Sequence, residues 1–245
     1  MRMLLIVALL PLAACQSNAE KQGQAAQASG TGATRSFAAT GFTGVALQSS
    51  DDIDVKTGQA FSVTAEGDSR VLDLLDISVV DGTLRVARKE SVAGKDSRDG
   101  WFGDDHGARI HVVMPRLTAA AVGGSGDLTV DRGEGDFTAG VSGSGNLLIA
   151  DLRANATNLS VAGSGNLKVA GSAAKLSVAV AGSGDIDARK LTATSADISI
   201  TGSGDVLGTV KGPASVSIVG SGDAELGGGA KCSVNAVGSG EARCS

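Results

Sequence analysis

Leu176-Ser-Val-Ala-Val-Ala-Gly182-Ser183-Gly184-Asp185-Ile-Asp-Ala188 decides the fold. The apolar residues Leu176, Val178, Val180, Ile186 and Ala188 share even parity with Gly182 and Gly184, while Ser177, Ser183 and Asp185 take odd positions. Alternation with period two is the signature of a strand with one covered face, and here it passes through the glycines without slipping. The tetrapeptide at the centre, Gly-Ser-Gly followed by an acid or amide, occurs seven times: Gly124–Asp127, Gly143–Asn146, Gly163–Asn166, Gly182–Asp185, Gly202–Asp205, Gly220–Asp223 and Gly238–Glu241. The copies are spaced by 19, 20, 19, 20, 18 and 18 residues. Self-similarity near 20 residues marks a repeat architecture, in which each unit covers the apolar face of the next.

Each unit therefore reads as one coil of two or three short strands, and the chain as an all-β parallel β-helix, a solenoid of about 18–20 residues per coil. Stacking brings equivalent residues above one another at roughly 4.8 Å. Leu, Ile, Val and two glycine columns face inward; Ser, Thr, Asn and Asp face outward. Inward glycine calls for a sharp bend or a wall lying close to another wall. The alternative places Gly-Ser-Gly-Asp at the hairpin turns of an antiparallel sandwich.

Composition agrees with a narrow core. Among 245 residues there are 36 glycines, one tryptophan, five phenylalanines and no tyrosine. The net charge is −5, and neither a basic run nor an aromatic platform is present, so nucleic acid is not an expected partner.

Residues 1–15 read as a targeting segment. Arg2 supplies positive charge, Leu4–Leu12 is an apolar run too short for a permanent span, and Leu12-Ala13-Ala14-Cys15 resembles the bacterial lipobox. That resemblance implies cleavage before Cys15 and lipid on its thiol. Gln16 in place of aspartate implies sorting to the outer membrane, with several acyl chains giving a stable anchor. An ordinary cleaved signal with a chance cysteine is the alternative. Residues 16–35, rich in Gln, Ala, Ser and Gly, read as a flexible tether. Residues 36–245 form the folded domain, with irregular first coils over 36–120 and regular repeats over 121–245. In the irregular part, Val45–Leu47, Ile53–Val55, Phe61–Thr64 and Ile110–Met114 alternate, Val71–Leu75 has a brief helical pattern, and Asp81-Gly82 marks a tight turn. Glu90–Gly107, with Trp101 and Phe102 at its centre, reads as a protruding loop.

The Asp81–Val86 step (Asp-Gly-Thr-Leu-Arg-Val), the Val113–Leu117 step (Val-Met-Pro-Arg-Leu) and the Gly-Ser-Gly repeats that follow resemble the bacterial auto-transporter adhesin family with the head GIN domain. The resemblance runs from about Ser36 to the C-terminus. It implies a right-handed β-helix on a secreted or lipid-anchored chain and a role in surface adhesion.

Catalytic signals are weak. The two histidines, His106 and His111, are not near a serine motif, no Gly-x-Ser-x-Gly elbow occurs, and no dinucleotide fingerprint is completed. An unactivated serine is a poor nucleophile. A carboxylate pair on a β-helix face could cleave polysaccharide, but the aromatics that stack sugars are missing. The acid follows the last glycine one residue too early for the calcium-binding toxin repeat. No catalytic residue, metal ligand or cofactor is expected. Cys232 and Cys244 share inward parity and are 12 apart, so an envelope compartment favours a disulfide between them. The candidate binding face comprises Ser125, Ser144, Ser164, Ser183, Ser203, Ser221 and Ser239, beside Asp127, Asn146, Asn166, Asp185, Asp205, Asp223 and Glu241. Position −1 is also small (Gly123, Ser142, Ala162, Ala181, Thr201, Val219, Val237), giving a long flat surface suited to a second copy, another surface protein or a polymer. The expected function is that of a membrane-anchored, non-enzymatic adhesin-like binding or scaffold surface in the cell envelope. The alternative is a protein that binds or cleaves surface polysaccharide.

Overall fold

The computed structural model describes residues 23–29, 33–89 and 107–245. The repeats form a β-solenoid. In each coil a strand on the first side runs into the Gly-Ser-Gly corner, a second-side strand leaves it, and a third side returns the chain. Phe137–Gly143 pairs in parallel with Thr157–Gly163, and that segment with Leu176–Gly182, with the first glycine of each Gly-Ser-Gly opposite its equivalent. The register continues through Ala196–Gly202, Pro213–Gly220 and Lys231–Gly238. On the second side, Asp127, Asn146 and Asn166 stand in one column. All these ladders are parallel, which removes the hairpin alternative. Strands such as Asn146–Gly163 cross from the second side to the third through a register shift between Ile149 and Leu152. A bulge at this place bends the strand without ending it.

The interior is a stack of small aliphatics. Val141, Val161, Val180, Ile200 and Ile218 succeed one another in one column, and Leu128, Leu147, Leu167, Ile186 and Val206 in another; all are buried. Complete burial of such a side chain contributes about 1.5–3 kcal/mol. At the last coil, Cys232 and Cys244 form a disulfide with Cα atoms 6.4 Å apart, tying the first side to the second. Closing a loop of this size stabilises by roughly 3 kcal/mol in the chain-entropy model.

Two layers precede the seven Gly-Ser-Gly coils, and their order in space differs from their order in sequence. Gly44–Leu47 pairs in parallel with Ala119–Val122 on one flank and with Thr83–Arg88 on the other. Asp52–Thr57 lies likewise between Asp127–Glu134 and Arg109–Met114. The coil containing residues 44–57 is thus the second layer; the chain returns to build the first from residues 83–114 and then passes over to the third.

Antiparallel strands cover this end. Leu75–Val80 and Thr83–Arg88 form a hairpin around Asp81-Gly82, both with positive φ (47° and 73°), the geometry that Asp-Gly supplies in tight turns. Ser62–Glu66 pairs with Arg109–Met114, and Thr34–Ala38 pairs with Ser62–Glu66. The helical pattern becomes the one-turn helix Ser69–Asp73, whose N-cap Asp68 accepts from the Arg70 N–H. The tether reading needs correction within 16–35: Gln24–Ala25 pairs antiparallel with residues 78–79, and Gln27–Ser29 with residues 36–38. Polar Gln and Ala run there without an apolar period because an edge strand is held by its backbone, with little side-chain burial. The expected targeting segment with Cys15, the expected lipid attachment position, lies outside the described residues, as do Trp101, Phe102 and His106.

Candidate functional site

The Gly-Ser-Gly corner is built from the backbone upward. Ser164 and Gly165 both donate their N–H to the Gly143 carbonyl of the coil before, at 3.0 and 2.9 Å, and the same pair of bonds recurs from Ser183 and Gly184 to Gly163 and from Ser203 and Gly204 to Gly182. To present that carbonyl, the first glycine adopts φ between 124° and 146° from Gly143 through Gly238, a region closed to most side chains. The second glycine is buried, and a Cβ there would stand about 2 Å from the carbonyl oxygen of the equivalent glycine below, for instance 2.1 Å between position 204 and Gly184. The close approach that calls for inward glycine is therefore between successive coils along the stack, not between opposite walls.

Ser125, Ser144, Ser164, Ser183, Ser203, Ser221 and Ser239 are all exposed and stand at the bend itself. They form a ridge along one edge of the solenoid, where a flat sheet face was expected. The flat part is the neighbouring first side, whose outward residues Ser160, Ala162, Ala179, Ala181, Ser199 and Thr201 are small and exposed. It becomes apolar toward the last coil, where Val219 is 50% and Val237 63% exposed.

The acid and amide column has an architectural task. Asp127 Oδ1 accepts the Asn146 N–H at 3.2 Å and Asn166 Oδ1 the Asp185 N–H at 3.3 Å. Asp185, Asp205 and Asp223 in turn accept the N–H of Asp205, Asp223 and Glu241 at 2.9, 2.8 and 2.8 Å. Asn146 and Asn166 add amide links to Asp127 and Asn146, at 2.9 and 3.1 Å. Asp127, Asn166, Asp185, Asp205 and Asp223 thus each satisfy a backbone donor at the corner, and this offsets the repulsion between carboxylates one coil apart. Asp205→Asn keeps an acceptor oxygen and removes one charge from the middle of the column. It is expected to leave stability unchanged or raise it by up to about 1 kcal/mol, whereas Asp205→Ala is expected to cost about 1 kcal/mol; urea denaturation followed by circular dichroism checks both.

One functional-looking cluster escaped the sequence. Ser49, Ser50, Asp51 and Asp52 occupy in the second layer the corner places that Gly124, Ser125, Gly126 and Asp127 occupy in the third, because Leu47 pairs with Val122 and Ile53 with Leu128. Asp51 thus sits where glycine normally does and is fully buried. Its carboxylate accepts from Ser49 Oγ (2.6 Å), the Ala108 N–H (2.8 Å) and the Arg88 guanidinium (2.7 and 3.2 Å). Burial pushes its pKa upward, but the bonds from Arg88, Ser49 and Ala108 together hold it below the usual carboxylate value. Arg88 and Ala108 flank residues 89–107, so this cluster pins both ends of that segment to the stack.

The third side, across the coil from the ridge, differs in charge. It carries Arg116, Arg132, Arg153, Lys190 and Lys211 against Glu134 and Asp151, with Lys175, Lys231, Asp136 and Asp197 at or just beyond its border with the first side. A shallow groove of about 520 Å3 opens here between Arg116, Glu134, Gly135, Arg153, Ala154, Asn155 and Ser172. Among the described residues no cluster of His, Cys, Asp or Glu could hold a metal ion. His111 faces Asp54 at 3.4 Å, and among the described residues no serine is hydrogen-bonded to it.

The family described as "putative auto-transporter adhesin, head GIN domain" matches residues 41–230. No curated protein sequence matches the chain. A solved structure of a "putative adhesin" from Bacteroides fragilis has the same fold with a TM-score of 0.75 and 20% identity, covering 86% of this chain and 96% of its own. A "putative lipid binding protein" from Parabacteroides distasonis aligns with a TM-score of 0.63 at 21% identity, with coverages of 86% and 96%. A "putative adhesin" from Parabacteroides merdae aligns with a TM-score of 0.66 at 17% identity, with coverages of 86% and 95%. At these identities the likeness is one of fold. No helix among the described residues is long and apolar enough to cross a membrane.

Proposed function

We propose that this chain, which belongs to the auto-transporter adhesin family with the head GIN domain, is a non-enzymatic adhesin-like binding surface of the cell envelope, held to the outer membrane by lipid on Cys15. The observation that carries the reading is the long serine ridge with its small-residue first side, exposed over its whole length. Such a surface suits contact with another extended surface, whereas a compact ligand needs enclosure. The adhesin names of the family and of two of the structural neighbours support the same reading, and the lipobox Leu12-Ala13-Ala14-Cys15 supports the anchor. Mass spectrometry of the mature N-terminus checks the anchor through acyl chains on Cys15; an unmodified Cys15 contradicts it.

The ridge is tested by Ser183→Arg combined with Ser203→Arg. Both side chains point into solvent, so the melting temperature is expected to stay within a few degrees. Two like charges one coil step apart, on an otherwise small surface, are expected to reduce self-association or cell adhesion at least about tenfold. Unchanged association and adhesion with an intact fold removes the ridge as the contact surface.

A further inference from the structure

The corner column contains only acids and amides, yet the opposite side of the coil carries Arg116, Arg132, Arg153, Lys190 and Lys211, with Lys175 and Lys231 at its border with the first side, in a chain of net charge −5. These bases are only partly neutralised. Arg116 meets Glu134 at 3.3 Å and Lys175 meets Asp197 at 3.7 Å, but Arg132 and Arg153 share the single carboxylate of Asp151, at 3.7 and 3.3 Å. Lys190, Lys211 and Lys231 are exposed and have no ion-pair partner among the described residues. Where the guanidiniums converge, the surface is concave: Gly135, with φ of 80°, leaves its floor bare and Arg116 lies over it.

We propose that this third side is a binding site for an acidic polysaccharide bearing carboxylate groups, laid along the solenoid axis with its first contacts in the Arg116–Arg153 groove. Arg153, Ser172 and Thr192 stand in one column, so polar side chains recur every roughly 4.8 Å along the stack, about the advance of one sugar ring in an extended glycan. Guanidinium pairs with carboxylate in bidentate geometry, and Asn155, Ser172 and Thr192 offer donors and acceptors for sugar hydroxyls. Ion pairing of this kind needs no aromatic stacking, and no aromatic side chain is among the residues that line the groove. A membrane is a poorer fit, because none of the large exposed apolar residues (Leu74, Leu148, Val219, Val234, Val237) lies on this side to enter lipid. This site is separate from the serine ridge and does not depend on it.

The test is titration of the purified full chain with oligogalacturonate, with a neutral glucan of equal length and with vesicles of phosphatidylglycerol, beside the double variant Arg153→Glu plus Lys211→Glu. The proposal expects oligogalacturonate to bind at about 50 mM salt and to weaken at least about tenfold by about 300 mM, since exposed charge pairs are screened. It expects about tenfold weaker binding by the variant at low salt, unchanged melting, and no binding of glucan or vesicles. If charge reversal unfolds the chain, Lys190→Gln plus Lys211→Gln, both exposed, is expected to weaken binding severalfold. Equal affinity for the neutral glucan, absence of oligogalacturonate binding, vesicle binding without it, or variants of unchanged affinity each overturn the proposal. The ridge variant Ser183→Arg plus Ser203→Arg is expected to bind oligogalacturonate fully, which separates failure of this site from failure of the ridge.

Discussion

Gly204→Ala is expected to unfold the repeat domain or to lower its stability by about 4 kcal/mol or more. The added Cβ would stand 2.1 Å from the Gly184 carbonyl oxygen and 2.9 Å from Val180 Cγ1. Backbone below and core beside leave no direction for relief. Overpacking alone costs about 1–3 kcal/mol. The displaced coil also strains the bonds from Ser203 and Gly204 to the Gly182 carbonyl, 2.8 and 3.2 Å long, each contributing about 1 kcal/mol. Each coil is stabilised mainly by its neighbours, so a break in the middle of the stack exposes two new ends. Gly227→Ala is the matched control: nothing lies within 4 Å of a Cβ there and its φ is not positive, so its effect is expected within about 0.5 kcal/mol. Thermal and urea unfolding of the two variants decides the matter, and equal stability would contradict the packing described.

Asp51→Ala is expected to cost about 3–5 kcal/mol, the usual penalty for removing one partner of a buried ion pair. It leaves the Ala108 N–H without the Asp51 acceptor and takes the carboxylate away from the Arg88 guanidinium, which is only 27% exposed. Asp51→Asn is expected to cost less, because one oxygen can still accept from Ala108. The pH dependence follows from the direction of the shift. The folded carboxyl titrates below its unfolded value of about 3.9, so its stabilisation is fully present above that value and is lost as pH falls through the folded pKa. Acid unfolding of the wild type therefore includes this loss below about pH 4, and Asp51→Asn is expected to flatten that part of the curve while lowering stability at pH 7.

The repeats were legible because period-two alternation continues through every Gly-Ser-Gly corner, so register and face follow from parity alone. The second layer was illegible for a chemical reason. Its corner reads Ser49-Ser50-Asp51-Asp52, and a buried carboxylate held by Arg88 replaces the glycine on which recognition depends. Its spatial neighbours are also distant in the chain: Leu47 pairs with Val86 and Val122. No local pattern encodes that order. The strands at Gln24–Ala25 and Gln27–Ser29 carried no signal because both are exposed edge strands. The acid column was visible as a column, but its role was not. Parity tells that Asp185 faces outward, whereas its bond to the Asp205 N–H depends on how the corner stacks. The third-side charge was hidden because its bases are scattered in sequence and gather only when coils are superposed.

That each Gly-Ser-Gly motif marks one step of a straight parallel stack is tested most directly by a distance between spin labels at positions 125 and 239, attached after Ser125→Cys and Ser239→Cys in a chain with Cys15→Ser and the Cys232–Cys244 disulfide left intact. The six steps between these serines predict a narrow distribution centred near roughly 29 Å, at about 4.8 Å per coil. A mean below about 20 Å, as expected for sheets folded back on one another at about 10 Å, or a broad distribution without a dominant distance, would contradict the stack.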